Sequence, residues 1–172
     1  MINSKKKLKI IFPYTGDSIG GSHISSLCLI NRLDNDFEVS IVCNSCGNLY
    51  NYFLKNTSDI PLYALELSRI SFISFLSTFN SISSILRIFF YLIKTRPSIC
   101  HVNDARTLLL WSLPCAALDV KIIYHLRSKY KKSSLYYMSI FLANKIITIS
   151  DFVQLSLPYN FHHKASLIDN PF

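Results

Sequence analysis

Seven short runs rich in β-branched residues recur along this chain, each separated from the next by a segment of helical character. The runs are Leu8–Pro13, Phe37–Cys43, Pro61–Leu67, Ile99–Val102, Lys121–His125, Lys145–Ile149 and Ala165–Ile168. They are largely continuous in apolar character instead of alternating, which is the pattern of strands covered on both faces. The segments between them predict helices over Ser22–Leu33, Leu49–Lys55, Ser81–Thr95, Arg106–Leu118, Ser133–Ala143 and Asp151–Leu157. Strand–helix alternation implies right-handed crossovers and an α/β, doubly wound, mostly parallel sheet of about six to seven strands. In such sheets ligands gather at the carboxyl ends of the strands.

Local signals agree with these elements. Ser22 precedes an expected apolar face of Ile24, Leu27 and Cys28, and Ser150 stands before Asp151 at the opening of a short helix. The helix ending at Thr95 stops where Arg96-Pro97 forbids continuation. With 172 residues, half of them hydrophobic, the chain fits one domain over residues 1–172 with a sizeable core and no linker.

The formal net charge is +8, which favours anionic partners such as a phosphorylated substrate or a phospholipid surface. Basic residues cluster at Lys5-Lys6-Lys7-x-Lys9, a solvated arm, and at Arg127-x-Lys129-x-Lys131-Lys132. Arginine, lysine and aromatic residues are not interleaved as on an RNA-binding sheet, so no nucleic acid is expected. The five cysteines are odd in number and mostly lie in apolar runs, which suits reduced thiols in a cytoplasmic protein. Cys43-Asn44-Ser45-Cys46 has CxxC spacing but lacks a second ligand pair, so no metal is expected. No secretory signal is apparent, since Lys9 and Pro13 break the first apolar run. Serines punctuate the first half of Ile70–Ile93, which therefore reads as a loop or short helix, packed on the core or lying on a bilayer, followed by a buried helix.

Candidate chemistry sits past the strand ends. The first strand empties through Gly16 and Asp17 into Gly20-Gly21-Ser22, where bare backbone lets a ligand approach helix N–H groups. This is neither a GxGxxG nor a P-loop pattern. The fourth strand ends in His101-Val102-Asn103-Asp104-Ala105-Arg106, and the fifth in Tyr124-His125-Leu126-Arg127. Strand histidines are commonly satisfied core residues, whereas Arg127 lies beyond the strand and suits a phosphate. His162-His163 fits a surface loop. No nucleophile elbow, HExxH or kinase signature is present.

Five segments in order resemble the N-terminal, acceptor-binding lobe of a GT-B glycosyltransferase of the family 4 type. They are the opening strand with Gly20-Gly21-Ser22-His23, then Pro97-Ser98-Ile99-Cys100-His101-Val102-Asn103 and Lys121-Ile122-Ile123-Tyr124-His125-Leu126-Arg127. Lys145-Ile146-Ile147-Thr148-Ile149-Ser150 and Ile168-Asp169-Asn170-Pro171-Phe172 complete the set. The resemblance implies a Rossmann-like lobe facing a second, donor-binding lobe that this chain does not encode. It implies sugar transfer from a nucleotide sugar to a glycan or lipid-diphosphate-linked acceptor, without a metal or other cofactor, in cell-surface polysaccharide biosynthesis. Substrate-binding roles fall on Gly20, Gly21, Ser22, Asn103, Arg106, His125 and Arg127, and no catalytic residue is assigned. Many family members carry a histidine where this chain has Arg127, while His125 lies two positions earlier on the same side of the strand. The place of action implied is cytoplasmic, peripheral on the inner face of the membrane. Two other readings are a non-catalytic acceptor-binding module and a free-standing Rossmann-like nucleotide-binding protein. The latter lacks the ribose-binding carboxylate after the second strand, which ends Val42-Cys43-Asn44.

Overall fold

The computed structural model describes residues 7–33, 37–57, 59–67 and 75–168, with the side chains of the long third helix described from residue 81. Lys5, Lys6, the serine-punctuated stretch up to residue 80 and the Asp169-Asn170-Pro171-Phe172 segment therefore lie wholly or largely outside the described side chains.

Seven strands form one sheet: β1 (Leu8–Pro13), β2 (Phe37–Cys43), β3 (Leu62–Ala64), β4 (Ile99–Val102), β5 (Lys121–Leu126), β6 (Lys145–Thr148) and β7 (Ala165–Leu167). Their order is β3-β2-β1-β4-β5-β6-β7, and every pairing is parallel. Six α-helices connect them: α1 (Gly21–Ile30), α2 (Asn48–Asn56), α3 (Phe75–Thr95), α4 (Ala105–Ala117), α5 (Ser134–Leu142) and α6 (Asp151–Ser156). The chain steps one way along the sheet from β1 to β3, then the other way from β4 to β7. Right-handed crossovers therefore put α1 and α2 on one face and α3 to α6 on the other. The core divides accordingly. One cluster joins Phe12, Ile41, Leu49 and Phe53 to Leu27 and Ile30 of α1. A larger one joins Val102, Ile122 and Ile146 to Ile88, Trp111, Ile140 and Phe161.

Most boundaries fall within a residue or two of the pattern, and the departures have local causes. β3 is three residues long, not seven, because after Leu65, whose N–H bonds the Cys43 carbonyl at 2.9 Å, the backbone leaves the ladder and the Leu67 N–H turns to the Asn44 side chain at 3.0 Å. α1 ends three residues early, where Arg32 and Leu33 bond the carbonyls of Leu29 and Ile30 and tighten the last turn. α3 begins at Phe75, ahead of Ser81, and ends as Arg96 adopts a positive φ of 48° before Pro97. A 3-10 segment, Tyr159–Lys164, replaces the loop expected around His162-His163; His162 Nε2 lies 3.1 Å from the Leu157 carbonyl.

Two expectations about helix faces need correction. In α1 the buried residues are Ser26, Leu27 and Ile30, whereas Ile24 and Cys28 are exposed. Ser22 is not the cap either; Gly20 holds that position. The described part of α3 is not a buried helix: Ile88 and Leu92 face the core, but Ile82, Leu86, Phe90 and Ile93 are exposed.

Candidate functional site at the strand-order reversal

Strand order reverses between β1 and β4, so the carboxyl ends of β1, β4 and β5 open the crevice where α/β sheets receive ligands. β1 delivers the buried Tyr14 and a loop that runs to α1. Gly16 takes a φ of +99°, a conformation that favours glycine. Thr15 Oγ1 lies 2.9 Å from Thr107 Oγ1, pinning the loop to the first turn of α4. Asp104 holds that turn in place, its carboxylate accepting from the Thr107 N–H at 2.9 Å and from the Thr107 hydroxyl at 2.6 Å. Asp17 leaves the crevice: its carboxylate accepts the Leu49 N–H at 3.0 Å and so satisfies the opening of α2. The N–H groups of Leu49 and Asn48 hold its pKa below the ordinary carboxylate value.

Gly20 and Gly21 differ from Gly16. Gly20 is in ordinary extended backbone, and a Cβ there would meet only His23 Nδ1, at 3.9 Å; a Cβ on Gly21 would meet nothing. Internal packing demands neither glycine, and their bareness keeps the N-terminus of α1 open. The first-turn amides of Gly21 and Ser22 have no intrahelical acceptor and lie at the positive end of the helix dipole. His23 Nδ1 accepts the Gly20 N–H at 3.1 Å, and its ring packs on Tyr14 with centroids 5.3 Å apart. A ring nitrogen that accepts a backbone N–H carries no proton, so the imidazole is neutral with its proton on Nε2. Burial lowers its pKa in the same sense.

The second half of the site comes from β4 and β5. Arg127, half-buried, donates from Nη2 to Ser25 Oγ on α1 at 3.0 Å and to His125 Nδ1 at 3.2 Å. It thereby reaches across the end of β4. Among the described residues the ion pairs are Lys9–Glu38, Arg87–Glu66 and Lys121–Asp119, and none includes Arg127. His125 gives its lone pair to Arg127, so its proton sits on Nε2, which is buried with no partner. Burial first, and then the Arg127 charge, push the His125 pKa down to about 4. His101 meets His125 edge-on with centroids 6.0 Å apart and leans on Phe12 at 4.9 Å. Its pKa is pushed down to about 3 by burial, followed by His125 and Arg127. Asn103 is buried; its Nδ2 lies 3.5 Å from His101 Nδ1, while its Oδ1 is unpartnered.

This arrangement presents donors, not a base. The acceptor nitrogen of His125 is occupied, whereas the Arg127 guanidinium reaches α1 at Ser25, one turn beyond the first-turn amides. Arg127 Nε is also buried without a partner. Each unmet buried group costs about 1–3 kcal/mol, the kind of local conflict that functional sites carry.

The structure links Arg127, His125 and, through His101, Asn103, and Arg127 meets α1 at Ser25, one turn beyond Gly20, Gly21 and Ser22. Arg106 stands apart: it is exposed on the first turn of α4, and among the described residues no hydrogen bond joins it to the group. Sequence reasoning missed Ser25, His23 and Thr15 as parts of this site. Three serines at positions 22, 25 and 26 of an otherwise apolar helix were the available signal. Two cavities lie beside the group. One of about 560 Å³ opens at the start of α5 between Tyr130, Lys132, Tyr137 and Met138. Another of about 510 Å³ lies between the β1–α1 loop and α2.

No family model matches the chain, and no curated protein matches it by sequence. Solved structures do match its fold. HepE from Anabaena, in complex with UDP, is 13% identical with a TM-score of 0.69 over 96% of this chain and 44% of its own. UDP-N-acetylglucosamine 2-epimerase from Rickettsia bellii is 13% identical with a TM-score of 0.68, over 94% of this chain and 44% of its own. MurG from Acinetobacter baumannii is 11% identical with a TM-score of 0.67, over 88% of this chain and 43% of its own. The chain therefore spans less than half the length of each of these proteins. At such identities the likeness speaks for fold, and the fold is that of a single GT-B lobe.

Proposed function

We propose that residues 1–172 are the N-terminal, acceptor-side lobe of a glycosyltransferase of the family 4 type. It would take part in moving a sugar from a nucleotide sugar to a glycan or lipid-diphosphate-linked acceptor in cell-surface polysaccharide biosynthesis. The observation that carries this reading is Arg127: a half-buried guanidinium with no carboxylate partner among the described residues, set at the reversal of strand order and bonded to α1 at Ser25. A cation in that position is matched to an anionic group entering from the crevice.

In this account the donor is held mainly by a second lobe. Gly20, Gly21 and Ser22 face its diphosphate, and helix amides with Arg127 stabilise the charge that develops as the nucleoside diphosphate departs. Asn103, His125 and Arg106 line the acceptor side. The cavity by Tyr130 and Lys132 then offers an apolar floor and a cation to a lipid-linked diphosphate. His125, whose lone pair is engaged, positions Arg127 and removes no proton. The reaction is retaining and needs no metal, the acceptor hydroxyl attacking from the face that the diphosphate leaves.

A second reading, an acceptor-binding module without transfer of its own, is favoured by the engaged lone pair of His125, which offers no base to an acceptor hydroxyl. One experiment separates the two. The 172-residue chain, alone and fused to the second lobe of a GT-B glycosyltransferase, is assayed for sugar transfer from UDP-sugars to a lipid-diphosphate acceptor. The chain alone should bind the acceptor without turnover, and the fusion should transfer. Binding in both with turnover in neither supports the module. Turnover by the chain alone, or epimerisation of the UDP-sugar without transfer, contradicts the proposal.

A further inference from the structure

We infer that a cavity between the last turns of α3 and the amino-terminal ends of β1 and β2 binds a small zwitterion, a free α-amino acid with a phenolic side chain. Strands of a doubly wound sheet are ordinarily apolar on both faces. Here β1 and β2 turn Lys9, Glu38 and Ser40 to the face that also carries Ile11 and Val42, residues of the core on the α3 side. A cavity of about 440 Å³ opens over these polar groups, lined also by Tyr63 of β3 and by Tyr91 and Lys94 of α3. That volume suits a single small molecule. About 16 Å of strand separates Lys9 from Tyr14 at the crevice, so the cavity is a different place on the sheet.

Burial orders the lining from floor to rim. Tyr91 is 9% exposed, and its Oη meets no partner in hydrogen-bonding geometry, although Ser40 and Thr95 lie near it. The Thr95 hydroxyl is already engaged, donating to the Tyr91 carbonyl at 2.8 Å. A buried hydroxyl left unmet is costly, and a phenol entering the cavity would meet it. The exposed Tyr63 ring stands edge-on to Tyr91, with centroids 5.7 Å apart, and offers a surface to an aromatic body. Charges of both signs stand at the rim. Lys9 and Glu38 pair at 3.4 Å, both half-exposed, while exposed Lys94 makes no ion pair among the described residues. A carboxylate fits Lys94, and an ammonium fits Glu38 and the carbonyl end of α3. A plain anion would meet Glu38 and a plain amine would meet two lysines, whereas a zwitterion uses both signs. This inference stands independently of the sugar-transfer reading.

The test is titration of the 172-residue chain with L-tyrosine, L-phenylalanine, tyramine and hydroxyphenylpropanoate, followed by ¹⁵N-resolved NMR of the backbone amides. L-tyrosine should give saturable shifts at Glu38, Ser40, Tyr63 and Lys94, and none at Gly20, Gly21 or Arg127. Tyramine lacks the carboxylate and hydroxyphenylpropanoate the ammonium, and each should bind about tenfold more weakly. L-phenylalanine, without the phenol oxygen, should bind about fivefold more weakly. Lys94→Gln should shrink the penalty for tyramine, Glu38→Gln that for hydroxyphenylpropanoate, and Tyr91→Phe the advantage of tyrosine over phenylalanine. Glu38 and Lys94 are exposed and Tyr91→Phe removes one oxygen, so circular dichroism and the melting temperature should stay unchanged. Absence of saturable shifts around the cavity overturns the inference, as do shifts at the crevice alone. Equal binding of either analogue also overturns it, in favour of a site for a plain anion or a plain amine.

Discussion

His101 and His125 are held neutral by their surroundings, and this has a consequence for stability. Their pKa values fall from 6.5 to about 3 and about 4, chiefly through burial. The unfolded chain therefore binds protons that the folded chain refuses between those values. Their contribution is fully present above pH 6.5 and is lost as the pH falls from there to about 4 for His125 and about 3 for His101. Melting temperature should decline over that interval, and His101→Asn/His125→Asn, which removes both titrating rings, should flatten the decline. An unchanged pH slope in the double variant would contradict the assignment. That His125 and Arg127 share one side of β5 was legible in the two-residue period of a strand. That Arg127 reaches Ser25 was not, because nothing in the sequence sets the rotation of α1 about its axis. Nor did the sequence distinguish the glycines: Gly16 is the one with a positive φ, while Gly20 and Gly21 are bare without a backbone requirement.

At the scale of elements, α2 opens against a side chain borrowed from another loop. A Cβ on Gly47 would lie 2.2 Å from Asp17 Oδ1, so the glycine admits the carboxylate to the Leu49 amide. Gly47→Ala should destabilise by about 2 kcal/mol, by expelling that carboxylate. In an Asp17→Ala background the same substitution should cost far less, since nothing remains to clash with. A double-mutant cycle by urea denaturation measures the difference, and additive costs would show that the two residues do not act together. Element positions were largely readable from the sequence because continuous apolar runs and helical segments differ in length and composition. Exposure was harder. The apolar residues of α3 satisfy a helical pattern on more than one face, and the sequence alone does not say which of them the sheet covers.

For the whole molecule, an all-parallel sheet with helices on both faces follows from the alternation of strands and helices. Doubly wound sheets build their crevice where strand order reverses. The order β3-β2-β1-β4-β5-β6-β7 supplies that reversal in the middle of the sheet. Legibility ended at the crevice itself, because the donors that face it come from α1, β4 and β5 and meet only once the chain is folded. The central claim is that Arg127 and the opening of α1 form an anion-receiving wall. Titration with inorganic pyrophosphate, followed by ¹⁵N-resolved NMR of the backbone amides and the Arg127 Nε–H, tests it directly. The account predicts saturable shifts confined to Gly20, Gly21, Ser22 and Arg127, and affinity about tenfold weaker in Arg127→Ala. Shifts spread over the surface lysines, with Arg127 and the glycine amides unmoved, would contradict it.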